Sequence, residues 1–240
     1  MTALTRAAPN GGMIEVTPGV FYGTCTKGGA NDNGGTLFSI SSNGDFHIVC
    51  QMPGTGTLPG SGLLAASPLT LGSNGNFYAS SLYGSTNGST GDGTIFTVTP
   101  QGDFSYLHIF DYPGDAGPTD PLLLAADGNF YGTASFGGSN NLGTVFKITP
   151  AGQFTSLYSF TGPTRSQDFE FARLTQSTEG NIYGVTENGG LGAGSIFKIT
   201  TGGLVYVMYD FPTNVGFGPF GSLVAPVFFM GRLIKEASAD

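Results

Sequence analysis

The stretch DGNFYGTASFGGSNNLGTVFKITPAGQFTSLYSF, Asp127 to Phe160, decides the architecture. It holds short runs rich in aromatic and β-branched residues, separated by Gly, Asn and Pro. Runs of this kind bounded by turn formers read as strands. TPAG, between the second run and the third, is a tight turn in which Pro presets φ and Gly takes φ > 0. A further apolar run, LLLAAD from Leu122, stands just before the stretch. The unit is therefore strand–turn–strand–turn–strand–turn–strand.

The pattern recurs along the chain. GVFYGTCTKGG from Gly19, GNFYASSLYGS from Gly75, GNFYGTASFGG from Gly128 and GNIYGVTENGG from Gly180 align, with starts 56, 53 and 52 residues apart. Each is followed by a second element: GTLFSISSNG, GTIFTVTPQG, GTVFKITPAG and GSIFKITTGG. A third follows directly: DFHIVCQM, DFSYLHIF, QFTSLYSF and GLVYVMYDF. Tyr recurs at 22, 78, 131 and 183, and Phe at 38, 96, 146 and 197. Four-stranded antiparallel units of about 50 residues are the signature of propeller blades. Aromatic columns in such units are expected to pack between blades rather than to face a ligand.

Asp127 to Phe160 closely resembles the GloVer tandem repeat of Gloeobacter and Verrucomicrobia proteins, and the resemblance runs from about Gly11 to Gly231. It implies a propeller-like fold and, because family members are usually long, exported and surface-anchored, an extracellular or cell-surface setting. It implies no shared activity and no catalytic residues.

Bulk composition agrees with the repeat. Gly and Pro make up 55 (41 and 14) of the 240 residues, which excludes a helical bundle. The glycines do not fall every third residue, so the chain is not collagen. With 39% hydrophobic residues, 20 Phe and 10 Tyr, it has more apolar mass than a disordered chain carries. A net charge of −8 argues against a nucleic-acid or anionic membrane partner. No apolar stretch reaches the length of about 18 residues that spans a membrane. The N-terminal MTALTRAAPNGG has no apolar secretory core, which predicts a soluble, cytoplasmic chain as written.

The expected fold is all-β: a single propeller domain over 1–240. Its repeat units are 12–62, 63–120, 121–170 and 171–220, with a partial fifth at 221–233 and a tail at 234–240. Gly12 to Val16 is the expected first strand of unit one, and Val227 to Arg232 the second strand of unit five. A closed or nearly closed five-bladed ring is favoured, and four-bladed closure with an extension comes next. An open ring would leave strand edges free for self-association.

In such a fold, the loop joining the second and third strands shares a face with the connection between blades. These loops carry Asp32, Asp92, Asp111, Asp115, Asp120, Asp168, Glu170 and Glu187, opposed only by Lys27 and Arg165. The opposite turns carry Asp45, Asp103, Asp127 and Glu179. An acidic, hydroxyl- and amide-rich ring suits a polyol, a cation or a basic ligand. Acids also collect on loops simply because loops are polar. Lys27, Tyr83, Phe136 and Asn188 occupy one aligned position that differs in every unit. A column released from packing is a candidate pocket lining, with Tyr83 and Phe136 as stacking surfaces for a sugar. Lys27, Tyr83, Phe136, Asn188, Asp111, Asp115 and Asp120 are the candidate ligand-binding residues.

No nucleophile elbow, phosphate loop or calcium-loop motif is present. No cofactor is expected, and Ca²⁺ is the one ion such carboxylates suit. His108 lies in a repeat position and is expected to be structural. Asp168, Glu170, Arg165 and His47 break the repeat and are the candidates for a single catalytic site. Cys25 and Cys50 end strands two apart, about 9–10 Å, too far for a disulfide. The favoured function is a non-enzymatic binding propeller for a carbohydrate or small molecule. Its alternatives are a cofactor-independent lyase, hydrolase, cyclase or isomerase with one funnel site, and a structural assembly protein.

Overall fold

The computed structural model describes residues 9–29, 34–53, 67–82, 93–110, 115–118, 120–161, 174–187, 192–212 and 223. Among them there is no helix. Four antiparallel sheets of four strands follow one another. The first is β1 (Pro9–Thr17), β2 (Val20–Cys25), β3 (Thr36–Ser41) and β4 (Phe46–Gln51). The second is β5 (Thr70–Leu71), β6 (Phe77–Ser81), β7 (Thr94–Val98) and β8 (Phe104–Ile109). A two-residue strand, β9 (Asp115–Ala116), comes between sheets. The third sheet is β10 (Leu123–Leu124), β11 (Phe130–Ala134), β13 (Thr144–Ile148) and β14 (Phe154–Ser159), with β12 (Phe136–Gly137) in its central loop. The fourth is β15 (Thr175–Gln176), β16 (Ile182–Thr186), β17 (Gly192–Ile199) and β18 (Val205–Pro212). Each sheet is a meander in sequence order, as the repeat predicts. The expected second strand of unit five, 227–232, lies outside the described residues.

Strand alternation explains the aromatic columns. Successive side chains point to opposite sheet faces, and in the second and third blades both faces are covered. In the Phe-Tyr pair of β6, Phe77 turns back to Tyr22 of the first sheet (ring centroids 4.6 Å) and Tyr78 turns forward to Phe130 of the third (4.2 Å). Tyr131 and Ile182 belong to one core cluster at the next junction. The third strands behave alike. Leu37, Ile95 and Val145 point forward, and Phe96, Phe146 and Phe197 point back, so each inter-sheet core takes one residue of each kind. The aromatic columns are blade-packing core.

The recurring Gly after Tyr has a steric cause. A Cβ on Gly23, Gly132 or Gly184 would run into the ring of Phe38, Phe146 or Phe197, its partner on the adjacent strand. The second sheet places Ala79 opposite Phe96 instead.

The turn between third and fourth strands is also repeated. Gly44, Gly102, Gly152 and Gly203 have φ of 88°, 96°, 88° and 81°. Each donates its N–H to the carbonyl of Ser41, Thr99, Thr149 or Thr200, at 2.8–2.9 Å. The same Ser or Thr hydroxyl accepts the N–H of Asp45, Asp103, Gln153 or Leu204, at 3.0–3.2 Å. A short hydroxyl side chain that bonds its own backbone fixes such turns.

Neighbouring sheets are tied along their inner edges. Thr70 Oγ1 donates to the Leu122 carbonyl (2.6 Å), and Thr175 Oγ1 repeats this bond to Leu223 (2.7 Å). Gln176 Oε1 accepts the Ala126 N–H at 2.9 Å.

Candidate functional site

The loop joining the second and third strands and the connection leaving each blade lie at one end of the sheets, as expected. The N–H of Met52, Phe110 and Phe160, just past each fourth strand, donates at 3.0 Å to the carbonyl of Gly35, Gly93 and Gly143, just before each third strand. Between the second and third sheets this contact grows into a ribbon. β9 pairs antiparallel with β12, with Phe136 opposite Ala116 and Gly137 opposite Asp115. The Ser135 N–H donates to the Gly117 carbonyl at 3.0 Å. The half-buried Phe136 ring lies over Gly117, where a Cβ would fall 2.8 Å from Phe136 Cδ2. The ring thus packs across the incoming connection and keeps part of its surface open.

The rest of this loop is closed on itself. Asn141 has a left-handed backbone (φ 54°), one that Asn tolerates better than most residues. Its Oδ1 accepts the Gly137 N–H at 2.9 Å. Asn140 Nδ2 donates to the Phe160 carbonyl (3.2 Å) and to Ser139 Oγ (3.1 Å). These amides hold residues 136–143 in one shape. Sequence reasoning missed them as organisers; the only signal was an Asn pair ahead of a glycine.

Asp120 stands beside the ribbon, half-buried. Its Oδ2 accepts from the buried Thr133 hydroxyl at 3.3 Å, and its carbonyl accepts from the buried Ser80 hydroxyl at 3.2 Å. Ser67 holds the aligned place in the second unit. It bonds Ser80 twice, accepting the Ser80 N–H (2.9 Å) and donating to the Ser80 carbonyl (3.4 Å). The fourth unit has Ala172 at this position, outside the described residues. One inner-edge position thus carries a hydroxyl, a carboxylate and a methyl group in successive units, a divergence visible in the sequence once the units are aligned there.

The remaining candidates are spread out. Lys27 is exposed at the end of β2, beside Gly28, whose carbonyl accepts the Gly35 N–H at 3.0 Å. His47 is exposed on β4, the outermost strand, two residues from Asp45 and therefore at the opposite end of its sheet. Tyr83, Asn188, Asp111, Arg165, Asp168 and Glu170 lie outside the described residues. Structure thus joins Asp115, Asp120 and Phe136 at one junction and leaves Lys27 and His47 apart from it. Among the described residues, no three His, Cys, Asp or Glu side chains come together as metal ligands.

His108 stacks on Phe154 of the next sheet, with centroids 3.8 Å apart and planes 2° from parallel. Cys25 and Cys50 are free and buried, and burial, followed by the charge of Asp103, pushes the Cys50 thiol above its usual value. At the turn end, Asp127 accepts from the Asn129 N–H (3.0 Å), Asn129 Nδ2 (2.7 Å) and the Tyr131 hydroxyl (3.0 Å). Burial raises its pKa, but these bonds and the charge of Lys147 outweigh it and hold Asp127 below its ordinary value. Burial, aided by Asp127, pushes Tyr131 up to about 12. Asn74 Nδ2 makes the equivalent contact to Tyr78 at 2.9 Å. These groups anchor turns.

Consecutive four-stranded meanders packed face to face define a β-propeller, and solved structures share the fold. One is a gluconolactonase candidate: TM-score 0.51, 15% identity, covering 86% of this chain and 64% of that one. Another is the extracellular domain of a candidate one-component system from B. thetaiotaomicron: TM-score 0.55, 9% identity, covering 90% of this chain and 24% of that one. A third is an ulvan lyase bound to a GlcA(1-4)Rha3S unit: TM-score 0.55, 12% identity, covering 82% of this chain and 54% of that one. The chain thus spans less than two thirds of each of these structures. No curated protein matches the sequence. The Gloeobacter/Verrucomicrobia repeat matches residues 65–231, and the chain belongs to that family.

Proposed function

We propose that this propeller is a binding module that recognises a carbohydrate or another polyhydroxylated small molecule through the loops at the β9–β12 end. The observation that carries this reading is the ribbon itself. It brings the backbone of Asp115 against β12, beside the part-open Phe136 ring, with Asp120 a few residues on. An aromatic surface beside carboxylate, hydroxyl and amide groups is suited to a sugar, which offers a C–H face and a rim of hydroxyls. The Tyr and Phe columns are used up in packing, so ligand chemistry falls to the loops, where the units diverge. Fold likeness to a lyase structure holding a GlcA(1-4)Rha3S unit is compatible with a glycan ligand. Near-equivalent loops on several units would raise avidity without new contacts.

A glycan array tests the reading. The wild-type chain is expected to bind, and Tyr83→Ala combined with Phe136→Ala to lose binding. Absence of binding to any glycan or small molecule overturns it.

A second reading rests on Asp120. A half-buried carboxylate present in one described unit is what a cofactor-independent acid–base enzyme with a single site needs. Turnover abolished by Asp120→Asn, with ligand binding kept, would favour it.

A further inference from the structure

Each third strand opens on a buried hydroxyl residue, and the blades satisfy it differently. Thr144 stands two residues before Phe146, which points back, so it too faces the junction between the second and third sheets. In the second sheet the equivalent Thr94 pairs with Ser81 across the strands, and the two hydroxyls hydrogen-bond at 2.7 Å. In the fourth, Ser195 Oγ donates to Asp210 Oδ1, and Thr186 Oγ1 accepts the Ser195 N–H at 2.9 Å. In the third, Ala134 is the residue paired with Thr144, and its methyl group neither donates nor accepts. Thr144 is 0% exposed, and its Oγ1 has no hydrogen-bond partner. A buried hydroxyl left unpaired costs folding free energy, so its retention calls for an explanation.

Its place supplies one. Gly143, just before Thr144, donates its N–H to the Gly137 carbonyl of β12 at 3.2 Å. A Cβ on Gly138 would fall 2.8 Å from Thr144 Cγ2 and 2.8 Å from Ser159 Oγ. The Thr144 methyl thus faces Gly138 and Ser159, and its hydroxyl is turned away from them, into the junction that β9 and β12 cross. The other unpartnered buried oxygens among the described residues, Thr97 Oγ1 and Ser177 Oγ, lie near the opposite, turn end of their sheets. The cover over Thr144 is thin. β9 and β12 pair over two residues, and Gly137 and Gly138 are both left-handed, with φ of 85° and 73°.

We infer that Thr144 Oγ1 is a specificity contact of the loop-end site: the hydroxymethyl arm of a hexose passes beneath the β9–β12 ribbon and hydrogen-bonds to it, while the sugar ring lies against Phe136. The inference rests on the carbohydrate reading above and narrows it to hexoses with a free primary hydroxyl. A slender arm projecting from the ring is what so enclosed a group can receive; a hydroxyl fixed on the ring would have to bring the ring in with it. A site that pairs its buried hydroxyl with one on the sugar discriminates against a sugar that lacks it.

The test is calorimetric titration of the 240-residue chain with the methyl glycosides of glucose, galactose and mannose, each beside its 6-deoxy analogue. At least one hexoside is expected to bind about tenfold or more tighter than its 6-deoxy analogue. Thr144→Val keeps the shape and removes the hydroxyl, so it should bind both members of that pair alike and melt no lower than the wild type. Ala134→Ser supplies the partner that Ser81 gives Thr94, and it should likewise weaken the hexoside toward its analogue. Equal binding of hexoside and analogue by the wild type, or full discrimination kept in Thr144→Val, overturns the inference and leaves the carbohydrate reading standing on Phe136 and Asp120. Failure of all these glycosides to bind also overturns it, while binding of another glycan on the array would still uphold the broader reading.

Discussion

The Tyr78 ring lies 4.2 Å from the Phe130 ring, centroid to centroid, although the two residues belong to different sheets and stand 52 positions apart. This pair is one repeat period of the architecture made physical. Phe130→Ala is expected to cost about 3–5 kcal/mol in urea unfolding, as deletion of a buried aromatic ring does. A double-mutant cycle with Tyr78→Ala should return about 0.5–1.5 kcal/mol of coupling. Additive effects would show that the rings fill space independently.

Gly132 tests the cross-strand fit. Its added Cβ would strike the Phe146 ring, so Gly132→Ala is expected to destabilise by about 1–3 kcal/mol through overpacking. The second blade accommodates Ala79 at this place beside Phe96, which shows that a neighbouring core can be built around the methyl group. A thermal melt no lower than wild type would contradict the steric account.

Two left-handed glycines should separate strain from contact. Gly128 has φ 79° and open space around a Cβ, so Gly128→Ala carries conformational strain alone, about 1–2 kcal/mol. Gly102, at φ 96°, faces the Val49 backbone carbonyl of the preceding blade. Gly102→Ala is expected to lower the melting temperature clearly more than Gly128→Ala. Equal losses would mean that the turn does not press on the next blade.

The Asp127–Tyr131 pair predicts opposite effects at the two pH extremes. Asp127 is depressed when folded, so its contribution is present above the ordinary carboxylate value and is lost as pH falls through the folded value. Tyr131 is raised from 10.0 to about 12, so its contribution is complete below pH 10 and is lost as pH climbs toward 12. Asp127→Asn should flatten the acid limb of stability. Absorbance titration at alkaline pH should find Tyr131 ionising late, and Tyr131→Phe should remove that late step.

The architecture was legible in the sequence because the fold spends its aromatic residues periodically. A Phe-Tyr pair on one strand needs two buried faces, and repetition of that pair across units tells which faces meet. Turns were equally open to reading, since Thr-Pro-Gln-Gly and Thr-Pro-Ala-Gly encode φ directly. The site was less so. β9 and β12 are two residues each, too short for any periodic signal, and their pairing joins segments that are unremarkable apart. Asp120 read as one loop acid among eight; its distinction lies in Thr133 and Ser80, which only folding brings to it. His108 was expected to be structural from its column, but its stacking partner could not be named from one strand alone.

The binding proposal is tested most directly by calorimetric titration of the array's strongest glycan into three variants of the intact chain. Asp120→Asn and Phe136→Ala should each weaken binding about tenfold or more, near 1.4 kcal/mol. Gln153→Ala, in an exposed turn at the other end of the third sheet, should bind as the wild type does. Unchanged affinity in both loop variants, or a loss in Gln153→Ala alone, would contradict a site at the β9–β12 end.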